Sequence, residues 1–145
     1  MPETDFIPSP TTWVRKQVEK IEETGDTRSV HVQNRPVVML TMRGAKTGGI
    51  RKVPLMRVEH DGAYAAVASK GGAPEHPQWY RNLLADPRVT VQDGTESWPA
   101  VAREITGAER DAWWPRCVEA FPNYAGYQVK TERVIPVLLL ERVEG

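Results

Sequence analysis

Two Asp-Gly dipeptides, Asp61-Gly62 and Asp93-Gly94, each stand between apolar stretches of strand-forming residues, and they constrain this chain more than any other feature. Such a dipeptide supplies the positive φ angles of a tight hairpin turn. The spacing predicts one hairpin from segments 53–59 and 63–69, and a second from 88–92 and 95–104. Residues 37–42 form a further apolar run, and 134–143 a last strand with Pro136 near its start. Hairpins without strand–helix–strand alternation exclude a doubly wound dinucleotide-binding sheet. They indicate a small barrel, whose closure removes exposed strand edges. The class is α+β, with five or six antiparallel strands and three or four helices.

The helices follow from the 3.6-residue period. Val14, Val18 and Ile21 recur at i, i+4 and i+7 within 11–24, with Gly25 placed to cap the end. This narrow stripe, with Trp13 beside it, either packs on the core or rests on a membrane surface. Residues 77–85 suit a short helix opened by proline and closed before Asp86-Pro87. Thr106 and Glu109 have the spacing of a capping box ahead of a helix to about residue 120.

A length of 145 residues is that of one domain. We divide it into an N-terminal extension with its amphipathic helix, 1–34, and a barrel domain, 35–145. Lys and Arg total 19 against 19 Asp and Glu, which argues against general nucleic-acid affinity, so any anion site is local. The single cysteine, Cys117, allows no internal disulfide and no Cys-rich zinc site, and it is expected as a buried apolar residue. His31, His60 and His76 lack metal-ligand spacing. Residues 1–10, with Pro2, Pro8 and Pro10, form an extended lead-in without a secretory pattern, and no run approaches the roughly 20 apolar residues of a membrane span. The expected location is the cytoplasm.

Three segments can carry chemistry. The first runs from Arg43 to Lys52, with Gly44, Gly48, Gly49, Lys46, Thr47 and Arg51. Its glycines expose backbone N–H groups and its four cations suit phosphate or carboxylates, although a solvated basic hairpin loop has the same composition. It lacks the P-loop order, because its lysine precedes the glycine pair and a strand follows. The second, 68–77, joins a strand end to a helix start through Ser69, Lys70 and a glycine pair. There a helix N-terminus favours an anion, and Trp79 or Tyr80 either lines a flat ring or joins the core. The third holds Tyr124 and Tyr127, three residues apart on one helical turn, so that both hydroxyls can face one cavity or both rings can simply pack. No Gly-x-Ser-x-Gly elbow and no Cys–His pairing emerge.

Four stretches in order, 37–58, 67–74, 77–83 and 123–128, strongly resemble the deazaflavin-dependent nitroreductase family: VVMLTMRGAKTGGIRKVPLMRV, VASKGGAP, PQWYRNL and NYAGYQ. The likeness extends over about 35–143. It implies a split β-barrel and use of reduced coenzyme F420, an 8-hydroxy-5-deazaflavin with an oligoglutamate tail. The implied acceptors are quinones, enones, and nitroaromatic or nitroimidazole compounds.

By the same resemblance, Ala45, Lys46, Thr47, Arg51 and Lys52 hold the cofactor's phosphate and tail. Val53, Pro54, Leu55 and Met56, with Val67, Ala68, Ser69 and Lys70, border its ring. Gln78, Trp79, Tyr80, Arg81 and Asn82 complete the groove, and Tyr124 reaches the cofactor edge. Ser69, Tyr124 and Tyr127 are the candidates to bind a developing oxyanion or supply a proton. Met56 and Phe121 stand where the nitroimidazole-reducing pattern has tyrosines, making the pocket more apolar and favouring quinones or enones. An FMN-binding oxidoreductase and a non-enzymatic deazaflavin carrier are the alternatives. A lipid-soluble acceptor would give the N-terminal helix a reason to touch a membrane surface.

Overall fold

The computed structural model describes residues 12–143; the proline-rich lead-in lies outside them. Helix α1 (Thr12–Thr24) leads through a 3-10 turn, Thr27–Ser29, to β1 (His31–Val32), β2 (Arg35–Arg43), β3 (Ile50–Met56), β4 (Glu59–His60) and β5 (Ala63–Val67). Another 3-10 turn, Lys70–Gly72, precedes α2 (Gln78–Ala85), β6 (Arg88–Asp93), β7 (Glu96–Ile105), α3 (Gly107–Ala120), α4 (Asn123–Lys130) and β8 (Val137–Arg142). All pairings are antiparallel, in the order β1-β2-β6-β7-β8-β5-β4, with β3 also on β2. This curled half-barrel with four helices is the split barrel.

The first hairpin differs from the sequence expectation. Residues 53–56 belong to β3 and pair with β2, from Leu40 opposite Val53 to Val37 opposite Met56. Only Glu59–His60 turns back, through Asp61 (φ 53°) and Gly62 (φ 83°), onto Ala63 and Tyr64. The reason is barrel closure. Arg57 donates its N–H to Pro36 of β2 at 3.1 Å, whereas the next carbonyl, Val58, accepts from Ala65 of β5 at 3.0 Å. The chain thus leaves one sheet edge and joins the other within two residues.

Alternation along the strands divides the core. Val38, Leu40 and Met42 of β2 pack with Leu138 and Leu140 of β8, Val89, Val91 and Trp98, under Tyr80 and Leu83 of α2. Val37 and Met39 face the other way, with Val137 and Leu139, toward α1, α3 and α4. Strands buried on both faces read as unbroken apolar runs. On α1, Val18 and Ile21 enter this second cluster while Trp13 stays 60% exposed, so the stripe packs on the core.

The capping box does not form. Gly107 takes φ 60° at the first position of α3, Thr106 makes no side-chain cap, and Glu109 instead receives Arg103 Nη1 and Nη2 at 2.8 and 2.9 Å. A bidentate ion pair across to β7 outcompetes the local bond.

Candidate functional site

β3 is an edge strand, paired among the described strands with β2 alone. An edge tolerates Pro54, which has no N–H to donate. Over this edge opens a cavity of about 810 Å³, a size typical of small-molecule and cofactor sites. Residues Arg51 to Met56 form one wall. Val67, Ser69 and Lys70, at the end of β5 and in the following turn, form another. Pro77, Gln78, Trp79 and Asn82 come from the start of α2, and Phe121, Tyr124 and Tyr127 from α4 and the residue before its proline cap.

The periods of helix and strand decide which candidates reach the cavity. On α2, Gln78, Trp79 and Asn82 line it, whereas Arg81 is exposed and Tyr80 is buried with Leu83. The Tyr80 hydroxyl donates to Glu104 Oε1 at 2.5 Å, away from the cavity, and burial with this carboxylate neighbour pushes the phenol up to about 12. At the end of β5 and just beyond it, Val67 and Ser69 line the cavity while Ala68, fully buried, sits in the opposite core cluster. Ala45, Lys46 and Thr47 lie at the exposed tip of the β2–β3 hairpin, beyond the cavity lining.

That hairpin tip is held from within. Gly44 donates to the Gly49 carbonyl at 2.8 Å, Gly48 to Gly44 at 2.9 Å, and Arg43 Nη1 to Gly48 at 2.9 Å, so Arg43 serves the turn itself. Asn82, 3% exposed, accepts the Ala45 N–H on Oδ1 at 3.0 Å and Gln78 Nε2 on the same atom at 3.1 Å. A buried carboxamide on α2 therefore sets where the basic loop stands. Lys52 pairs with Glu22 of α1, and Lys70 lies 3.5 Å from Glu75.

The opposite end is aromatic and apolar. Phe121 meets the Tyr124 ring edge-on at 5.0 Å and Tyr127 at 6.2 Å, and the two tyrosines are 6.3 Å apart. Burial, and then the neighbouring Cys117 and Tyr127, push the Tyr124 phenol above its ordinary range. It stays protonated, and a donor, at neutral pH. Met56 and Phe121, the two departures noted in the sequence, both line this end.

Sequence reasoning missed part of the lining. Trp13, Val14 and Gln17 of α1, with Val32 and Gln33 after it, roof the cavity near β3, and Val37 and Met42 complete it from β2. No local pattern marks them, because α1 reaches β3 only through tertiary packing. Among the described residues no group of His, Cys, Asp and Glu could hold a metal, and no helix is long and apolar enough to cross a membrane.

The groove suits a deazaflavin with an anionic tail. It joins a basic end, Arg51 and Lys52, to an apolar trough bounded by Val53, Leu55, Met56, Val67 and Trp79 beside an edge strand. The family model described as F420H(2)-dependent quinone reductase matches residues 13–142. An F420H(2)-dependent quinone reductase of Mycobacterium tuberculosis is 37% identical over 110 residues, 74% of this chain and 74% of that protein. A solved structure of an F420-H2 dependent reductase, FDR-A, is 57% identical with a TM-score of 0.70, over 77% of this chain and 99% of its own. Another, described as a domain-swapped dimer, is also 57% identical, with a TM-score of 0.72 over 92% of this chain and all of that one. With its split barrel, basic loop and aromatic-walled groove, the chain belongs to the F420H(2)-dependent quinone reductase family.

Proposed function

We propose that this protein reduces quinones with coenzyme F420H2, and that its apolar pocket extends the range to enones and nitro compounds. The observation that carries the reading is a continuous cavity joining a basic end to an aromatic end along the edge of β3 that no described strand pairs. Family membership supports the same cofactor and acceptor class. When bound, the reduced deazaflavin supplies a hydride, and the protein's task is to orient and protonate the acceptor.

Arg51 and Lys52 on β3, with Lys46, Thr47 and the Ala45 backbone at the hairpin tip, form the anion-binding end for phosphate and tail carboxylates. Val53 to Met56, Val67, Ser69, Lys70, Gln78, Trp79 and Asn82 border the ring. Ala68 and Tyr80 pack with Leu83 in the core behind this wall, and Arg81 is exposed on α2. Phe121, Tyr124 and Tyr127 take the acceptor against an aromatic face and exclude water. A quinone gains two electrons as hydride and one proton on oxygen. The Tyr124 hydroxyl, kept protonated by burial, is the donor we assign to the carbonyl as its charge develops, with Tyr127 and Ser69 as further hydrogen-bond partners.

A membrane-dissolved quinone would reach the cavity at its roof. Trp13, exposed on α1 and lining the cavity, supports a peripheral surface contact there. Val18 and Ile21 are buried in the core and unavailable for it.

The test is reoxidation of F420H2 by purified protein with menadione, an enone and a nitroimidazole as separate acceptors, and FMN as competing cofactor. Menadione-dependent reoxidation is the expected result. Tight binding without turnover would make the protein a carrier, and preference for FMN would overturn the cofactor assignment. Liposome flotation of the full chain against a Trp13→Ser variant tests the membrane contact, and equal recovery in the soluble fraction would end it.

A further inference from the structure

Arg133, four residues before β8, makes an unusual set of bonds with the turn after β5. Its Nη2 donates to the Ser69 carbonyl at 2.7 Å, Nη1 to Ala68 at 3.2 Å, and Nε to Ala73 at 2.9 Å. Nη1 also lies 3.0 Å from Nδ1 of His76. Since a guanidinium only donates, that ring nitrogen is the acceptor of a neutral imidazole with its proton on Nε2. One planar fork thus addresses three backbone carbonyls and a histidine.

The turn needs such support. Lys70 and Gly72 both have positive φ, 47° and 81°, and only the short bonds from Gly72 N to Ser69 O and Ala73 N to Lys70 O close it internally. The guanidinium is anchored in turn. Gln128 of α4 donates Nε2 to the Arg133 carbonyl at 2.8 Å and accepts the Ile135 N–H at 2.9 Å. Because α4 also carries Tyr124 and Tyr127, the arginine links the two cavity walls that hold the candidate chemistry.

We propose that Arg133 is a positioning residue of this site, fixing the 68–73 turn that presents Ser69 and Lys70 to the cavity, with neutral His76 as the fourth acceptor of its fork. The inference rests on the proposed cofactor site for its binding readout, while the clamp itself stands on the geometry alone. Lysine cannot replace the fork, since an ammonium is a point donor without planar, divergent N–H groups.

His76 makes the clamp sensitive to pH. The charged groups that act on it are Arg133, Arg81 of α2 and Glu104 of β7, with Glu75 beside it in sequence and the Tyr80 ring at 4.6 Å. Burial first, then the two arginines, push its pKa below 6.5, and Glu104 opposes them. The neutral acceptor is therefore present above that range and is lost as pH falls through the depressed value. Protonation turns a hydrogen bond into a contact between two cations.

The experiment compares wild type with Arg133→Gln, Arg133→Lys and His76→Gln. Amide hydrogen exchange of the cofactor-free protein reads the turn, and fluorescence titration with oxidised F420 reads the site. We expect Arg133→Gln and Arg133→Lys to speed exchange within 69–73 and to weaken F420 binding, each by about tenfold, as for loss of charge-assisted bonds. Exchange in β6 and β7 should not change. Wild-type F420 affinity should fall as pH drops below about 6.5, and His76→Gln, whose carboxamide oxygen still accepts, should flatten that profile. Wild-type exchange and affinity in both arginine variants would overturn the clamp, as would an unaltered pH profile in His76→Gln. Should Arg133→Gln fail to fold, the lysine and His76 variants decide. If wild type binds no F420, the cofactor assignment falls, and hydrogen exchange still judges the clamp.

Discussion

Gly72 touches Tyr127 backbone to backbone: a Cβ at Gly72 would stand 2.9 Å from the Tyr127 carbonyl oxygen and 3.1 Å from its Cα. At φ 81° the position also lies where side chains are strained. The turn that carries Ser69 and the helix that carries Tyr124 can approach this closely only through glycine. Gly72→Ala is expected to cost about 1–3 kcal/mol, from strain and displacement of α4 together. Thermal unfolding measures it. An unchanged Tm would mean that the two backbones separate without penalty.

Asn82 presents the complementary case, a polar atom that two neighbours share. Truncation in Asn82→Ala leaves the Ala45 N–H and the Gln78 carboxamide without their acceptor, at a cost of about 1–3 kcal/mol. The basic hairpin should loosen more than the core. Faster amide exchange at Ala45 with unaltered exchange in β8 is the expected pattern, and uniform acceleration would contradict it.

Tyr124→Phe removes one hydroxyl from a wall that keeps its ring contacts with Phe121 and Tyr127. Turnover with menadione should fall by about tenfold or more, as for loss of a general acid. The Kd for F420 should change much less. Because burial holds the phenol protonated well above neutrality, the ratio of wild-type to variant kcat should be constant from about pH 6 to about pH 9. An unchanged kcat would remove Tyr124 from the reaction.

Two buried tyrosines give the fold an alkaline limit. Tyr64 donates to Asp93 and Tyr80 to Glu104, and burial with these carboxylates pushes both phenols up to about 12 from an ordinary 10.0. A raised native pKa stabilises the folded state fully below pH 10, and that contribution is lost as pH climbs toward 12. Urea midpoints taken across this window should drop steeply for wild type and less for the Tyr64→Phe, Tyr80→Phe double variant. Parallel curves would refute the assignment.

Cys117 is fully buried on α3, and burial pushes its thiol up to about 12. Thiolate is the reactive form, so a disulfide reagent at about pH 8 should modify it only in step with unfolding. Immediate reaction in the native protein would show that α3 opens far more often than its packing implies.

Much of the architecture was legible because it is local. Asp61-Gly62 encodes a turn whatever surrounds it, and β2 and β8 announce burial on both faces through their unbroken apolar runs. The candidate residues came from three polar segments and an ordered likeness to a known family, and most of the residues assigned to the site by that likeness line the cavity, although of the basic segment only Arg51 and Lys52 do. Local rules misled where a distant group competed. Thr106 and Glu109 have capping-box spacing, yet Arg103 on the neighbouring strand takes the carboxylate. Residues 53–59 look like one strand, yet barrel closure divides them at Arg57 and Val58.

What the chain determined by itself was turn positions, helix and strand periods, and which residue types could meet an anionic, flat ligand. Only the tertiary structure decided that α1 roofs the cavity with Trp13, Val14 and Gln17, that Asn82 holds the basic hairpin, and that Arg133 grips a turn more than sixty residues away in sequence. Periodicity specifies the face of an element but not its neighbour. The neighbour is set by how all the faces bury one another at once, and the bonds of Arg133 and Asn82 exist only after that packing is complete.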